Sequence, residues 1–301
     1  MNEKQRHIAL KFLQKVLPAD EYEKIQKLKI NDLGFGYDQF GMEKESAALA
    51  YFFVRLAYKY WFRVQSEGHE NIPRTGRALI VPNHSGVLPL DAAMIGVDLV
   101  MKLDTPRNMR AVVDNFMGFT PFLNTLVYRA GQVVGSRRNF EDLLKDEEMI
   151  AVFPEGAKGT GKLYSQRYKL LKFNVGFIEL SLKHRAPIIP TMSIGGEEQY
   201  PMLFNFKPIA RLISFPYFPL TPFFPWLGPI GAIPLPVRYH IRYGKPIKFY
   251  EEYRPETLKD PETVRMLADK VHEIVQGMVN QGLKERKSIF GFKEDVKSGE
   301  K

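Results

Sequence analysis

An α/β fold, a mixed β-sheet flanked by helices, is predicted by three features of the sequence. Between residues 76 and 195, short β-branched runs alternate with stretches of helical period. The runs are bounded by turn-forming residues, as expected of strands in a helix-covered sheet. The residues with chemical potential follow the runs directly: Asn83-His84, Gly135 to Arg138 and Pro154-Glu155-Gly156. In open α/β sheets, ligands gather at the carboxyl ends of strands.

The predicted strands cover 78–83, 109–114, 131–136, 149–155 and 187–194, with helices over 91–103, 115–128, 139–147 and 168–184. A strand at 237–244 and a helix around 261–283 close the fold. Residues 1–66 read as an N-terminal helical, membrane-docking segment and 67–283 as the α/β domain. Residues 284–301 form a charged tail. The stretch 31–42, NDLGFGYDQFGM, is rich in glycine and aromatics and reads as a loop.

Composition narrows the partners. The chain of 301 residues carries a formal net charge of +9, which favours anionic partners. No cysteine is present, which excludes disulfides and thiol chemistry. The six histidines show no ligand spacing, so no metal is expected. The amino terminus is too polar for a secretory signal, which predicts a protein kept on the cytoplasmic face of a membrane.

Two segments suggest lipid. In the helix predicted over 46–64, Arg55, Lys59 and Arg63 recur every four residues and form a basic stripe on an apolar helix. That stripe either reaches anionic headgroups or is a solvated edge of a core helix. Residues 212–237 contain seven prolines and no charge. Proline forbids a regular spanning helix, so this segment is expected to be an apolar flap at a membrane surface or over an acyl-binding groove. Nucleic-acid binding would account for the charge but not for the flap, and no recognition motif for it occurs.

FPEGAKGTGKL, residues 153–163, invites a nucleotide reading through Gly156, Gly161 and Lys162. A phosphate-binding loop needs Ser or Thr after the lysine to ligate magnesium, and Leu163 stands there. No clean helix start follows, and the nucleotide reading fails.

VPNHSGVLPLD, residues 81–91, then GQVVGSR at 131–137, FPEGAKG at 153–159 and APIIP at 186–190 occur in this order. Together they resemble the four motifs of the glycerolipid acyltransferases, which include bacterial lysophosphatidic acid acyltransferases. The resemblance covers residues 81–191, a little over a third of the chain. It implies that His84 is the base that activates an acceptor hydroxyl and that Asp91 orients it. Gly131, Arg137, Glu155, Gly156 and Lys158 would bind the acceptor, with Arg137 on its phosphate. The donor would be acyl-CoA or acyl carrier protein, as a co-substrate with no further cofactor. The acceptor would be 1-acylglycerol 3-phosphate, at an anionic membrane surface. No covalent acyl-enzyme is implied, and no nucleophile elbow surrounds Ser85.

The chain departs from the family pattern twice. Six residues separate His84 from Asp91 where the family has four. A continuous helix would hold such a pair ~10 Å apart along its axis. Gly86 and Pro89 break helix, so either a loop folds Asp91 onto the imidazole or Asp91 caps the helix that follows. Lys158 stands at an arginine position, keeping the charge without the bidentate geometry. These departures leave open a neutral acceptor, such as mono- or diacylglycerol or a long-chain alcohol, and a non-catalytic lipid-binding protein on the same fold.

Overall fold

The computed structural model describes residues 3–84, 86–113, 123–212 and 217–290. Three helices open the chain: α1 (Glu3–Val16), α2 (Ala19–Lys27) and α3 (Lys44–Leu56), the last running into a π-helical turn at Ala57–Trp61. There follow β1 (Gln65–Glu67), β2 (Ala78–Pro82), α4 (Leu90–Lys102), β3 (Met109–Val113), α5 (Leu123–Arg129), β4 (Val133–Val134), α6 (Arg137–Lys145) and β5 (Met149–Ala151). The second half holds α7 (Ala157–Thr160), α8 (Gly176–His184), β6 (Ile188–Ile194) and α9 (Gly196–Gln199). Then come β7 (Phe204–Asn205), α10 (Lys207–Leu212), β8 (Pro219–Leu220), β9 (His240–Tyr243), α11 (Phe249–Glu252) and α12 (Pro261–Glu285).

Seven strands form one sheet in the order β1-β9-β6-β2-β5-β3-β4. The five from β6 to β4 run parallel, β9 is antiparallel to β6, and β1 is parallel to β9. The sheet is therefore mixed, as the sequence predicts. Strand period explains how β2 serves two cores at once. Ala78 and Ile80 face one layer, with Leu13, Ile25, Tyr58 and Ile95; Leu79 and Val81 face the other, with Phe177, Val271 and Val275. The N-terminal helices thus share a core with the sheet, and the boundary expected at residue 66 falls inside β1.

The basic stripe does not face headgroups as a unit. Arg55 is buried, and its guanidinium clamps Glu21 of α2, with Nη2 donating to Oε1 at 3.0 Å. Lys59 Nζ reaches the same oxygen at 2.7 Å. Burial pushes the Glu21 carboxyl up, but Arg55 and Lys59 outweigh it and hold it below the usual glutamate value. Arg63 leaves the helix with φ +45° and donates to the carbonyls of Trp61, Pro236 and Phe290. A partner more than thirty residues away in sequence turned a candidate surface stripe into an internal tie.

α4 carries a second buried acid, Asp98, seven residues beyond Asp91 and fully buried. Its carboxylate accepts from Tyr58 at 2.6 Å, Tyr243 at 2.8 Å, His69 at 2.9 Å and the Ser66 hydroxyl. Burial raises the Asp98 carboxyl, but His69, Ser66 and Tyr58 outweigh it and keep it below the ordinary aspartate value. A lowered folded pKa stabilises the fold above the unfolded value, and that stability is lost as pH falls through the folded pKa. Asp98→Asn is expected to cost ~3 kcal/mol at neutral pH. The difference from wild type should shrink below about pH 4, as checked by urea unfolding at both pH values.

Candidate active site

β2 delivers Asn83 and His84 to the carboxyl edge of the sheet. The Asn83 amide is fully buried and ties the strand end to β6: Nδ2 donates to the Ser193 carbonyl at 2.9 Å, and Oδ1 accepts the Ser193 amide at 2.8 Å. His84 is thereby fixed at its root. Its backbone N–H donates to Glu155 Oε1 at 2.9 Å, and its ring packs on Phe153 with centroids 4.2 Å apart.

The longer spacing to Asp91 closes through the loop. Gly86 takes φ +78°, and a Cβ there would stand 2.5 Å from both the Gly196 carbonyl oxygen and Gln199 Nε2. The loop can therefore lie flat against α9 only with glycine at this position. Helix α4 starts at Leu90, after Pro89, so Asp91 sits in its first turn. Asp91 Oδ2 meets His84 Nδ1 at 2.9 Å, while Oδ1 accepts the Ala92 amide at 2.8 Å. A carboxylate only accepts, so Nδ1 carries the proton and Nε2 of the neutral ring presents its lone pair. Among the described residues Nε2 makes no hydrogen bond, and the side chain is 12% exposed.

The remaining motif residues divide. Glu155, expected to bind the acceptor, is buried with both oxygens engaged: Oε1 by His84, Oε2 by the Leu171 amide at 2.8 Å and Lys162 at 3.2 Å. Gly156 adopts φ +61°, and its N–H donates to the Phe153 carbonyl, so it shapes the turn rather than offering an amide to a ligand. Gly131 lies before β4, at the opposite edge of the sheet from His84. Its φ is +101°, and a Cβ would stand 2.9 Å from Met42 Sδ, so this glycine ends α5 and does not line the site.

Arg137 begins α6 at the carboxyl edge, three strands from β2, which amounts to ~14 Å. It is exposed and faces Glu179 at 2.9 Å and Glu141 at 3.6 Å. Lys158 is exposed on α7, and among the described residues it makes no ion pair. The next residue, Gly159, is buried so tightly that a Cβ would lie 3.0 Å from His84 Cβ and 2.8 Å from Glu155 Cβ.

The described part of the flap, 217–237, touches the same loop. Tyr217 donates to the Val87 carbonyl, and Leu235 donates to the carbonyl of Gln199, whose side chain in turn donates to Leu88 at 3.3 Å. Ser85, residues 114–122 (hence most of the predicted helix 115–128), 213–216 and 291–301 lie outside the described residues.

Sequence reading missed Gly159, Lys162 and the α9 turn Gly195-Gly196-Glu197-Glu198-Gln199. The turn carried a usable signal, because a polar run directly after the buried strand β6 stands where such sheets hold their sites.

Comparison with known proteins bears on the family and the fold. The Acyltransferase family model matches residues 63–194. An uncharacterized protein of Mycobacterium tuberculosis is 39% identical over 258 residues, covering 85% of this chain and 72% of that protein. A chicken protein described as a DGAT1/2-independent enzyme synthesizing storage lipids is 26% identical over 232 residues, 76% of this chain and 65% of its own. The crystal structure of the 1-acyl-sn-glycerophosphate acyltransferase PlsC from Thermotoga maritima shares the fold, with a TM-score of 0.53 at 18% identity over 93% of this chain and 88% of that one. The matched family model and the long relative agree with the motif order, and the chain belongs to the acyltransferase family.

Proposed function

We propose that this acyltransferase moves a fatty acyl group from acyl-CoA or acyl carrier protein to a glycerolipid hydroxyl in a ternary complex. One observation carries the reading: the His84 Nδ1–Asp91 contact of 2.9 Å, which leaves Nε2 as an oriented base. Nε2 takes the acceptor's hydroxyl proton as the oxygen attacks the thioester carbonyl. The C–S bond breaks, the ester remains, and the imidazolium returns its proton to the leaving thiolate. No covalent enzyme intermediate enters this sequence, and no step calls for a metal or bound cofactor.

1-Acyl-sn-glycerol 3-phosphate is the first acceptor proposed, with Lys158 beside the base and Arg137 on the same edge as cations for its phosphate. A neutral acceptor, mono- or diacylglycerol, is the second reading. It is favoured by the two carboxylates already facing Arg137, by lysine at position 158, and by the storage-lipid description of the chicken relative. Arg137→Ala separates the two. On a phosphorylated acceptor, KM should rise ~10-fold or more. On a neutral acceptor, KM should stay within about twofold.

The proposal extends to where the reaction occurs, at the cytoplasmic face of a membrane. No helix among the described residues is long and apolar enough to cross one. The support is an exposed apolar surface: Phe12 and Phe53 on the N-terminal helices, Tyr60 and Trp61 in the π turn, and Trp226 and Ile230 on the flap. Trp61 Nε1 donates to the Pro234 carbonyl at 2.9 Å, which joins the helical and flap parts. The double variant Trp226→Ser/Phe53→Ser should reduce sedimentation with vesicles containing phosphatidylglycerol by at least ~10-fold. Unchanged binding would remove this surface from the account.

A further inference from the structure

Lys162, the lysine that imitates a phosphate-binding loop, is only 3% exposed in its side chain. Its Nζ lies 3.2 Å from Glu155 Oε2 and 2.9 Å from Glu197 Oε1, and it donates to the Lys169 carbonyl at 3.3 Å. Each carboxylate also accepts a backbone amide. Glu155 Oε1 accepts the His84 amide at 2.9 Å, and Glu197 Oε2 accepts the Tyr168 amide at 2.6 Å. Glu197 belongs to α9, the same turn against which Gly86 packs and from which Gln199 donates to Leu88. α9 therefore meets the His84–Asp91 loop directly and meets Glu155 through the lysine.

Two buried carboxylates at one point repel each other and resist ionisation without a counter-charge. Burial opposes the Lys162 ammonium, but Glu197 and Glu155 outweigh it, and the amine stands above the ordinary lysine value. The lysine is therefore charged throughout the neutral range. A neutral side chain here would leave Glu155 free to swing away from the His84 amide.

We propose that Lys162 is a positioning residue for catalysis: it fixes Glu155 against the His84 backbone and joins it to α9, so that the imidazole keeps its angle to Asp91 and to the acceptor. This rests on His84 being the base. A misplacement of ~1 Å at a reacting group costs ~10²-fold in rate, which is the scale on which such a tie would act.

The test compares Lys162→Met with Arg110→Met. Arg110 is 1% exposed and pairs with Asp38, a buried ion pair of the same kind away from His84. Both variants should lose thermal stability. Lys162→Met should lower kcat by ~10- to 100-fold with KM within about twofold, and should speed amide hydrogen exchange at His84 by at least ~10-fold. Arg110→Met should keep kcat within about twofold when assayed below its own melting temperature. If Lys162→Met does not fold, Glu197→Gln decides, with a fall in kcat of ~3- to 10-fold and faster His84 exchange expected. Wild-type kcat and wild-type His84 exchange in the folded variant would overturn the proposal, as would equal loss of kcat in both buried-pair variants. If the wild type turns over no acceptor, the functional reading fails. His84 exchange then decides the positioning role alone, in the same two directions.

Discussion

His84→Ala is expected to lower kcat for acyl transfer by ~10³-fold or more, with KM for donor and acceptor within about threefold. An alcohol is a weak nucleophile at neutral pH, and a positioned base contributes ~10²- to 10⁴-fold. The loss should reach the upper part of that range, because Nε2 is the ring atom left open by the Asp91 contact. The backbone tie to Glu155 survives the substitution, while the ring contact with Phe153 and the Asp91 contact are lost. Stability should fall, because the fully buried Asp91 loses its partner, so kcat is read below the variant's own melting temperature, which a circular dichroism melt locates.

Asp91→Asn should lower kcat by ~10²- to 10³-fold, with the fold retained. The asparagine carbonyl can still accept the Ala92 amide, as Asp91 Oδ1 does at 2.8 Å, so α4 keeps its first-turn contact. The amide group then faces His84 Nδ1 as a donor. That reverses the tautomer, placing the imidazole proton on Nε2, where it cannot act as base. Measurement of kcat beside ¹⁵N spectra of the His84 ring distinguishes this from simple loss of a hydrogen bond. A variant with wild-type kcat would show that the Asp91 contact only anchors the helix.

Much of the scaffold was legible because it follows period and punctuation. The strands ending at Pro82, Ala151 and Ile194 are apolar runs, and the residues after them carry the site. The helix expected over 168–184 begins only at Gly176. Leu170 and Phe173 have helical spacing, yet they belong to an extended crossing whose amides go to Gln276, Glu155 and Pro154. Those partners lie elsewhere in the chain, and local period does not reveal them.

The site shows the same division. Motif order located His84, Asp91 and the FPEG turn, while geometry shows what each touches. Glu155 has the right type for acceptor binding, and its type does not reveal that it is buried with both oxygens engaged. Gly131 had the right offset from Arg137, yet the strand between them carries the two to opposite edges of the sheet. The spacing of seven from His84 to Asp91 looked too long only for a continuous helix. Gly86 and Pro89 remove that helix, and their effect depends on α9, which lies more than a hundred residues away.

Product analysis with isotopically labelled oleoyl-CoA tests the central claim most directly. Purified protein in phospholipid vesicles would be given lysophosphatidic acid or monoacylglycerol, with His84→Ala run in parallel. The account predicts label in a new glycerolipid ester, one free thiol released per ester formed, and neither product with the variant. Label appearing only as free fatty acid, or in no product even with acyl carrier protein as donor, would contradict it.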